Sequence, residues 1–375
     1  MAASIFRSVK RVVVKVGTST ITYPTYRLNL ERMERLVREI ADLANRGIEV
    51  VLVTSGAISA GLSRLGFSQR PATLPAKQAV AAVGQGLLMQ VYEKLFAEYG
   101  QVVAQVLLTR EDLRSRERYL NSRHTLLELL RYNAVPIVNE NDTVAVEEIK
   151  FGDNDTLSAL VAALVGADLL LVLSDVDGVY TADPRQHPDA RLVDMVTSVD
   201  GLAEAAGGAG SARGTGGMVT KFQAARIACR SGIPMIIAHG SRDGVIHAAV
   251  DGKDVGTLFL PETERLNSRK QWLAFYHRPM GQIFVDEGAK TALLDAGKSL
   301  LPIGITKVLG SFAAGDLVVV LDEEGKEIGR GISNYAAAEV ESIKGHHSEA
   351  LPQILGRKDY DEVIHRDNLA LFPEE

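Results

Sequence analysis

Cysteine is almost absent from this chain. Cys229 is the only one, so no disulfide can form within it, and a reducing, cytoplasmic compartment is expected. It lies in the apolar helical run Phe222–Cys229, where it reads as core filler. Long hydrophobic runs are also missing. The longest, Ala159–Leu173, carries Asp168 and falls short of the roughly 20 residues that span a bilayer. Val12-Val13-Val14 is interrupted by Lys15 and too short for a signal-peptide core, so neither membrane span nor leader is expected. Nor is there an excess of positive charge. Forty-one Lys and Arg face 47 Asp and Glu, a formal net charge of −6, which excludes general affinity for nucleic acid or anionic lipid. The histidines are scattered, giving no Ser/His/Asp order, no Cys/His pair and no metal-ligand spacing. A Walker A loop, Gly-x-x-x-x-Gly-Lys-Ser/Thr, does not occur.

What is present is a chain of 375 residues with 46% hydrophobic and 23% charged residues, enough for two domains. Through residue 260, short Val/Ile/Leu runs alternate with amphipathic segments. Strands are predicted at Arg11–Val16, Val50–Thr54, Val102–Leu108, Val135–Asn139, Leu169–Ser174 and Pro234–Ala238. Helices are predicted at Asn29–Arg46, Pro75–Tyr99, Tyr119–Arg131, Thr156–Val165 and Met218–Ser231. This alternation implies an α/β fold, an open, mainly parallel sheet sandwiched by helices, with ligands beyond the carboxyl ends of the strands. The polar stretch 261–279 reads as a linker. Residues 280–358 read as a small, mainly-β barrel with strands at Gly281–Val285, Leu301–Ile305, Asp316–Leu321 and Glu327–Ile332, and 359–375 as a polar tail.

Six polar clusters follow these strands or open these helices. Lys15-Val16-Gly17-Thr18-Ser19 ends the first strand; a lysine in a valine run either meets an anion or lies on an outward edge. Thr54-Ser55-Gly56-Ala57-Ile58 runs into a helix, where Ser55 and the amides beyond it either grip an anion or simply cap. Asn139-Glu140-Asn141-Asp142 is dense in polar groups, and its acids suit an ammonium. Gly152-Asp153-Asn154-Asp155-Thr156 carries more Asp and Asn than a cap requires. The turn Ser174-Asp175-Val176-Asp177-Gly178 lacks EF-hand spacing and reads better as a nucleotide contact than as a metal loop. Gly214-Thr215-Gly216-Gly217-Met218-Val219-Thr220-Lys221 opens a helix, with glycines for close backbone approach and a lysine one turn in, which suits a polyphosphate. Together these form a phosphoryl-transfer inventory: two lysines, an orienting carboxylate and helix starts aimed at anions.

In order and in type, these clusters, with Tyr180-Thr181-Ala182-Asp183-Pro184, resemble the glutamate 5-kinases of the amino acid kinase family; residues 280–358 resemble a PUA domain. The resemblance implies ATP-dependent phosphorylation of the side-chain carboxylate of L-glutamate, the first step of proline synthesis, with ATP and Mg²⁺ as cofactors. It implies Lys15 and Lys221 on the transferring phosphoryl group, with Asp155 holding both. It implies Ser55, Gly56, Asn139, Asp142 and Asn154 on glutamate. Ser174, Asp175, Thr215, Gly216, Gly217, Met218, Val219 and Thr220 would line the ATP site with the two lysines. No protein metal ligand is expected. Proline is implied as a feedback inhibitor, and a homo-oligomer, dimer or tetramer, as the assembly. Another carboxylate or carbamate kinase of the same fold is the alternative. RNA binding by the C-terminal domain is disfavoured by its balance of eight Lys and Arg against eleven Asp and Glu over 280–358.

Overall fold

The computed structural model of the chain describes residues 9–372, except 146–153, 183, 185, 188, 200–215, 262–278 and 358. The described residues fall into two compact units, one holding 9–112 and 117–261, the other 279–372 together with 113–116. In the first, the strands are β1 Arg11–Val16, β2 Glu49–Val53, β3 Val103–Leu108, β4 Val135–Glu140, β5 Leu169–Ser174, β6 Met195–Val196, β7 Met235–His239 and β8 Gly256–Phe259. Its principal helices are α1 Leu30–Asn45, α2 Ala57–Leu65, α3 Leu74–Ala97, α4 Arg116–Arg131, α5 Asp155–Val165, α6 Gly216–Arg230 and α7 Val245–Val250. The six predicted strands and five predicted helices of this unit are present; Arg11–Val16 and Leu169–Ser174 match at both ends, and no other end is shifted by more than three residues. Two short strands, β6 and β8, lie outside that reading. They are too brief to show a period, and β8 begins at a glycine.

The strand order is β3-β4-β2-β1-β5-β7-β8-β6, and pairing is parallel from β3 through β7. Only β8 and β6 run the other way, β8 pairing antiparallel to β7. From β1 the chain crosses to β2 on one side, and from β5 to β7 on the other. The carboxyl ends of β1 and β5 therefore flank a switch point, where an open sheet leaves a crevice.

Side-chain alternation along β1 sets the chemistry. Val12, Val14 and Val16 point into the main core with Met33, Leu36, Ile40 and Phe96. Val13 and Lys15 therefore face the opposite layer, where α5 packs against β1. Helix α5 is buried at ten of its eleven positions, as befits a helix apolar all round.

The helix pair α2 and α3 packs unusually closely. A Cβ on Gly84 would fall 1.7 Å from the Ala57 carbonyl oxygen, and one on Gly61 would fall 2.0 Å from the Val80 carbonyl oxygen. Glycine is required at both because backbone occupies the side-chain space.

The second unit holds a five-stranded sheet of order β10-β9-β11-β12-β13, with β9 Gly281–Val285, β10 Ile305–Gly310, β11 Leu317–Leu321, β12 Glu327–Ile332 and β13 Leu369–Leu371. Its core gathers Ile283, Val285, Val318, Val320, Ile328, Tyr335 and Leu369. Two expectations are corrected. Leu301–Ile305 is not a strand: Pro302–Gly304 forms a 3-10 turn and β10 begins only at Ile305, consistent with a proline that has no N–H for a ladder. The segment expected as a tail contributes β13, whose Leu369, Ala370 and Leu371 pair with β12. Among the described residues no helix is long and apolar enough to cross a membrane.

Replacing Gly84 with alanine is expected to destabilise the protein by about 3 kcal/mol, because the clash is with backbone and cannot be relieved by a rotamer change. A urea midpoint for Gly84→Ala equal to that of the parent would show that α3 can slide away from α2.

Candidate active site

Lys15 sits in the middle of the sheet, opposite Val53 of β2 and Val172 of β5. An edge position is thereby excluded, and with 4% exposure its ammonium needs an anion. Asp155, the first residue of α5 and fully buried, supplies it through Oδ1 in a close ion pair. Lys221 approaches from α6, its Nζ 3.1 Å from Asp155 Oδ2 and 3.3 Å from the Gly217 carbonyl one turn back. Its residue exposure is 8%. Thr220 donates its hydroxyl to the same Asp155 oxygen at 3.2 Å. One carboxylate thus bridges two ammonium groups brought from residue 15 and residue 221.

The electrostatics of this trio are lopsided by design of its composition: two cations share one anion, leaving a net positive site. Burial alone pushes the Asp155 carboxyl up, but the Lys15 and Lys221 ammoniums, by charge and by hydrogen bonding, hold it below the usual carboxylate range. The carboxylate therefore stays ionised and keeps both lysines in place. The N-terminal end of α5 adds the favourable sign of the helix dipole to that charge.

A second cluster lies alongside. Asn154, directly before Asp155 and 5% exposed, donates Nδ2–H to the Thr54 carbonyl and, at 2.8 Å, to Asn139 Oδ1. Asn139 Oδ1 also accepts from the Glu140 amide at 2.9 Å, while its Nδ2 donates to Gln85 Oε1 at 2.7 Å. The ends of β2 and β4, the start of α5 and the middle of α3 are thereby tied by side-chain amides. Behind them, the Thr54 hydroxyl and the Tyr92 hydroxyl share a 2.8 Å hydrogen bond; complete burial pushes the Tyr92 phenol well above its ordinary range, so it stays neutral. Ser55 is buried at the head of α2, and Gly56 turns the chain into that helix at φ +97°, a conformation that favours glycine.

The remaining expected residues are placed less intimately. Ser174 ends β5 and donates to its neighbour Asp175 at 3.1 Å; Ser174 is buried and Asp175 exposed. Asp142 is half-buried in the turn after β4. Gly216, Gly217, Met218 and Val219 form the first turn of α6, with Gly217 and Val219 exposed. Thr215 lies outside the described residues. The acidic turn after β5 is engaged in structure, since Asp177 pairs with Arg242 at 3.1 Å and accepts from Tyr180 at 3.2 Å. Gln85 and Tyr92 were not marked out by their sequence. Both sit in a long helix where polar residues read as solvent-facing and aromatics as core. A sequence reading could have caught only Gln85, as the polar neighbour of the helix glycine Gly84.

Among the described residues no three His, Cys, Asp or Glu side chains are grouped to hold a metal ion. Among the described residues, the positive charge of the trio comes from the two lysines. The trio presents a fixed cationic notch at the carboxyl end of β1, beside a rigid network of neutral amides. That combination suits transfer of a phosphoryl group between two anions.

The model of the amino acid kinase family matches residues 10–239, and that of the PUA domain matches residues 281–355. The chain belongs to the glutamate 5-kinases of the amino acid kinase family. It is 56% identical over 363 residues to the "Glutamate 5-kinase" of Caldanaerobacter subterraneus, covering 96% of this chain and 98% of the relative. It is 58% identical over 364 residues to that of Moorella thermoacetica, with 97% and 96% coverage. The relative from Carboxydothermus hydrogenoformans is 54% identical over 369 residues, with 98% and 99% coverage.

Asp155 has its pKa depressed on folding, so the unfolded chain binds more protons in the acid range. Its stabilising contribution is therefore full above the ordinary aspartate pKa and is lost as pH falls through the lowered folded value. Asp155→Asn is expected to destabilise by about 3–5 kcal/mol at neutral pH, because two buried ammoniums lose their counter-charge. It should also flatten the acid limb of the stability curve. Parallel acid limbs in variant and parent would rule out this role.

Proposed function

We propose that the protein transfers the γ-phosphoryl group of ATP to the side-chain carboxylate of L-glutamate, giving L-glutamyl 5-phosphate and ADP, the first step of proline biosynthesis. The observation that carries this reading is the buried Lys15–Asp155–Lys221 trio; full-length relatives bearing the name glutamate 5-kinase support the choice of acceptor. A carboxylate oxygen of glutamate attacks the γ-phosphorus, the bond from that phosphorus to the bridging oxygen breaks, and ADP leaves with the electron pair. The nucleophile is already ionised at neutral pH, since an unperturbed Glu side chain has a pKa near 4.3, so no general base is needed. The work left to the protein is to bring two anions together and neutralise charge as it spreads over the equatorial oxygens.

In this reading Lys15 and Lys221 flank the phosphoryl group, and Asp155 positions them without touching it. Ser55, Gly56, Asn139, Asp142 and Asn154 hold glutamate, with the Asp142 carboxylate suited to the free α-ammonium. An acetylated amine would offer it no charge partner. Ser174, Asp175 and residues 215–221 receive ATP, whose phosphates bring Mg²⁺ with them. Proline competes for the glutamate pocket as a feedback inhibitor, the working form is a homo-oligomer, and the setting is cytoplasmic. The acidic balance of the C-terminal domain speaks for a regulatory or assembly role over RNA binding.

ATP-dependent formation of glutamyl hydroxamate from L-glutamate and hydroxylamine tests the reaction, and proline should suppress it. Lys221→Ala should lower kcat by about a hundredfold, roughly 3 kcal/mol, with little change in glutamate KM. Asp142→Ala should chiefly raise glutamate KM. Turnover of carbamate, aspartate, acetylglutamate or UMP in preference to glutamate would replace the acceptor; normal kcat in Lys221→Ala would remove the mechanism.

A further inference from the structure

The orientation of the amide network follows from two backbone groups, and it ends on a donor with no partner among the described residues. The Glu140 N–H can only donate, so the Asn139 atom facing it is the carbonyl Oδ1. Asn139 then turns Nδ2–H toward Gln85, and the Gln85 atom 2.7 Å away must be the acceptor Oε1. The Thr54 carbonyl can only accept, which fixes Nδ2 of Asn154 in the same way and lets it supply its second hydrogen to Asn139 Oδ1. Each amide is thus set by its neighbour. The far end of Gln85 is the –NH₂ group, and its Nε2 is shielded from solvent with no hydrogen-bond partner among the described residues.

Leaving such a donor unpaired in a shielded place is costly, so the arrangement calls for an acceptor that arrives with a ligand. Its location indicates which ligand. Gly84, the preceding residue, presses against the Ala57 carbonyl at the head of α2, just beyond Ser55 and Gly56. Gln78, seven residues earlier and so on the same face of α3, donates to the Ala145 carbonyl at 3.2 Å. Helix α3 thereby meets the segment after β2 through Gly84, and both ends of the Asn139–Ala145 segment that contains Asp142 through Gln85 and Gln78. These are the segments assigned to the acceptor substrate, not to ATP.

We propose that Gln85 is a substrate-binding and specificity residue: its Oε1 locks Asn139, and its Nε2–H donates to a carboxylate oxygen of bound glutamate. This rests on the glutamate reading above. A single side chain then couples the shape of the pocket to the presence of the acceptor. A neutral donor at this point also discriminates by chemistry, since it rewards an oxygen acceptor and leaves an alkyl or amine group unpaired.

Gln85→Glu separates the two roles. The carboxylate still accepts from Asn139 but offers an acceptor where Nε2–H stood. Gln85→Met keeps the volume and removes both bonds. Steady-state kinetics of both variants, beside the parent and with thermal midpoints, give the test. Gln85→Glu should keep the parent midpoint and ATP KM while raising glutamate KM at least tenfold with kcat within twofold. Gln85→Met should raise glutamate KM and also lower the midpoint. A parent-like glutamate KM in Gln85→Glu would show that Nε2 serves no substrate, and an equal rise in ATP KM would show a general charge effect; either overturns the proposal. If the parent itself does not phosphorylate glutamate, both this assignment and the acceptor reading fall, an outcome visible before any variant is made.

Discussion

Everything at the candidate site depends on one buried carboxylate shared by two lysines. Isolated, any of the three charges would be costly at its position, because low-dielectric surroundings penalise each ion by several kcal/mol. Joined, they form a unit with net positive charge whose geometry is set before any substrate arrives. Asp155 can play this part because it is itself fully buried at the start of a helix buried at all but one position, and Lys15 can reach it because β1 alternates Val13 and Lys15 onto the face where that helix packs. Lys221 completes the group from α6, braced against the Gly217 carbonyl. The fold thus delivers preorganisation: the charges that a transferring phosphoryl group needs are held by the protein's own packing.

The amide network is the complementary half. It is neutral, it links β2, β4, α3 and α5, and it borders Asp155 through the adjacent Asn154. A site that must hold a dicarboxylic amino acid next to a polyphosphate benefits from dividing the work in this way. Charge sits where the phosphoryl passes, and directional, uncharged hydrogen bonds sit where the acceptor is recognised. The tight α2–α3 contact at Gly61 and Gly84 keeps that network from loosening, because neither helix has side-chain bulk to give up at the point of contact.

Much of this was legible in the sequence, for physical reasons that differ by element. The central strands are buried on both faces and so read as nearly unbroken Val/Ile/Leu, which is why β1, β2 and β5 were recognisable from composition. Lys15 and Asp155 stood out because a charge inside or beside such a run demands a partner. Their meeting each other, from 140 positions apart in the chain, needed the sheet order and the face of β1. The misplaced strand at Leu301–Ile305 followed from apolar content alone and ignored the missing N–H of Pro302. Strand β13 was hidden because three residues carry no period and its polar flanks resemble a tail. Gln85 was faint for another reason: a glutamine in a helix is ordinarily a solvated residue, its place beside Gly84 is the one hint, and only the orientation of its neighbours gives its two ends distinct meanings.

The central claim is that Lys15 and Lys221 act as one unit through Asp155 on the phosphoryl group in flight. A double-mutant cycle on the single-turnover rate of phosphoryl transfer, with Lys15→Ala, Lys221→Ala and the pair, addresses it directly. The account predicts that each single change slows transfer by about a hundredfold and that the double costs clearly less than the product of the two, since either loss already releases the shared carboxylate. Strictly multiplicative effects, or a near-normal rate in either single variant, would contradict it.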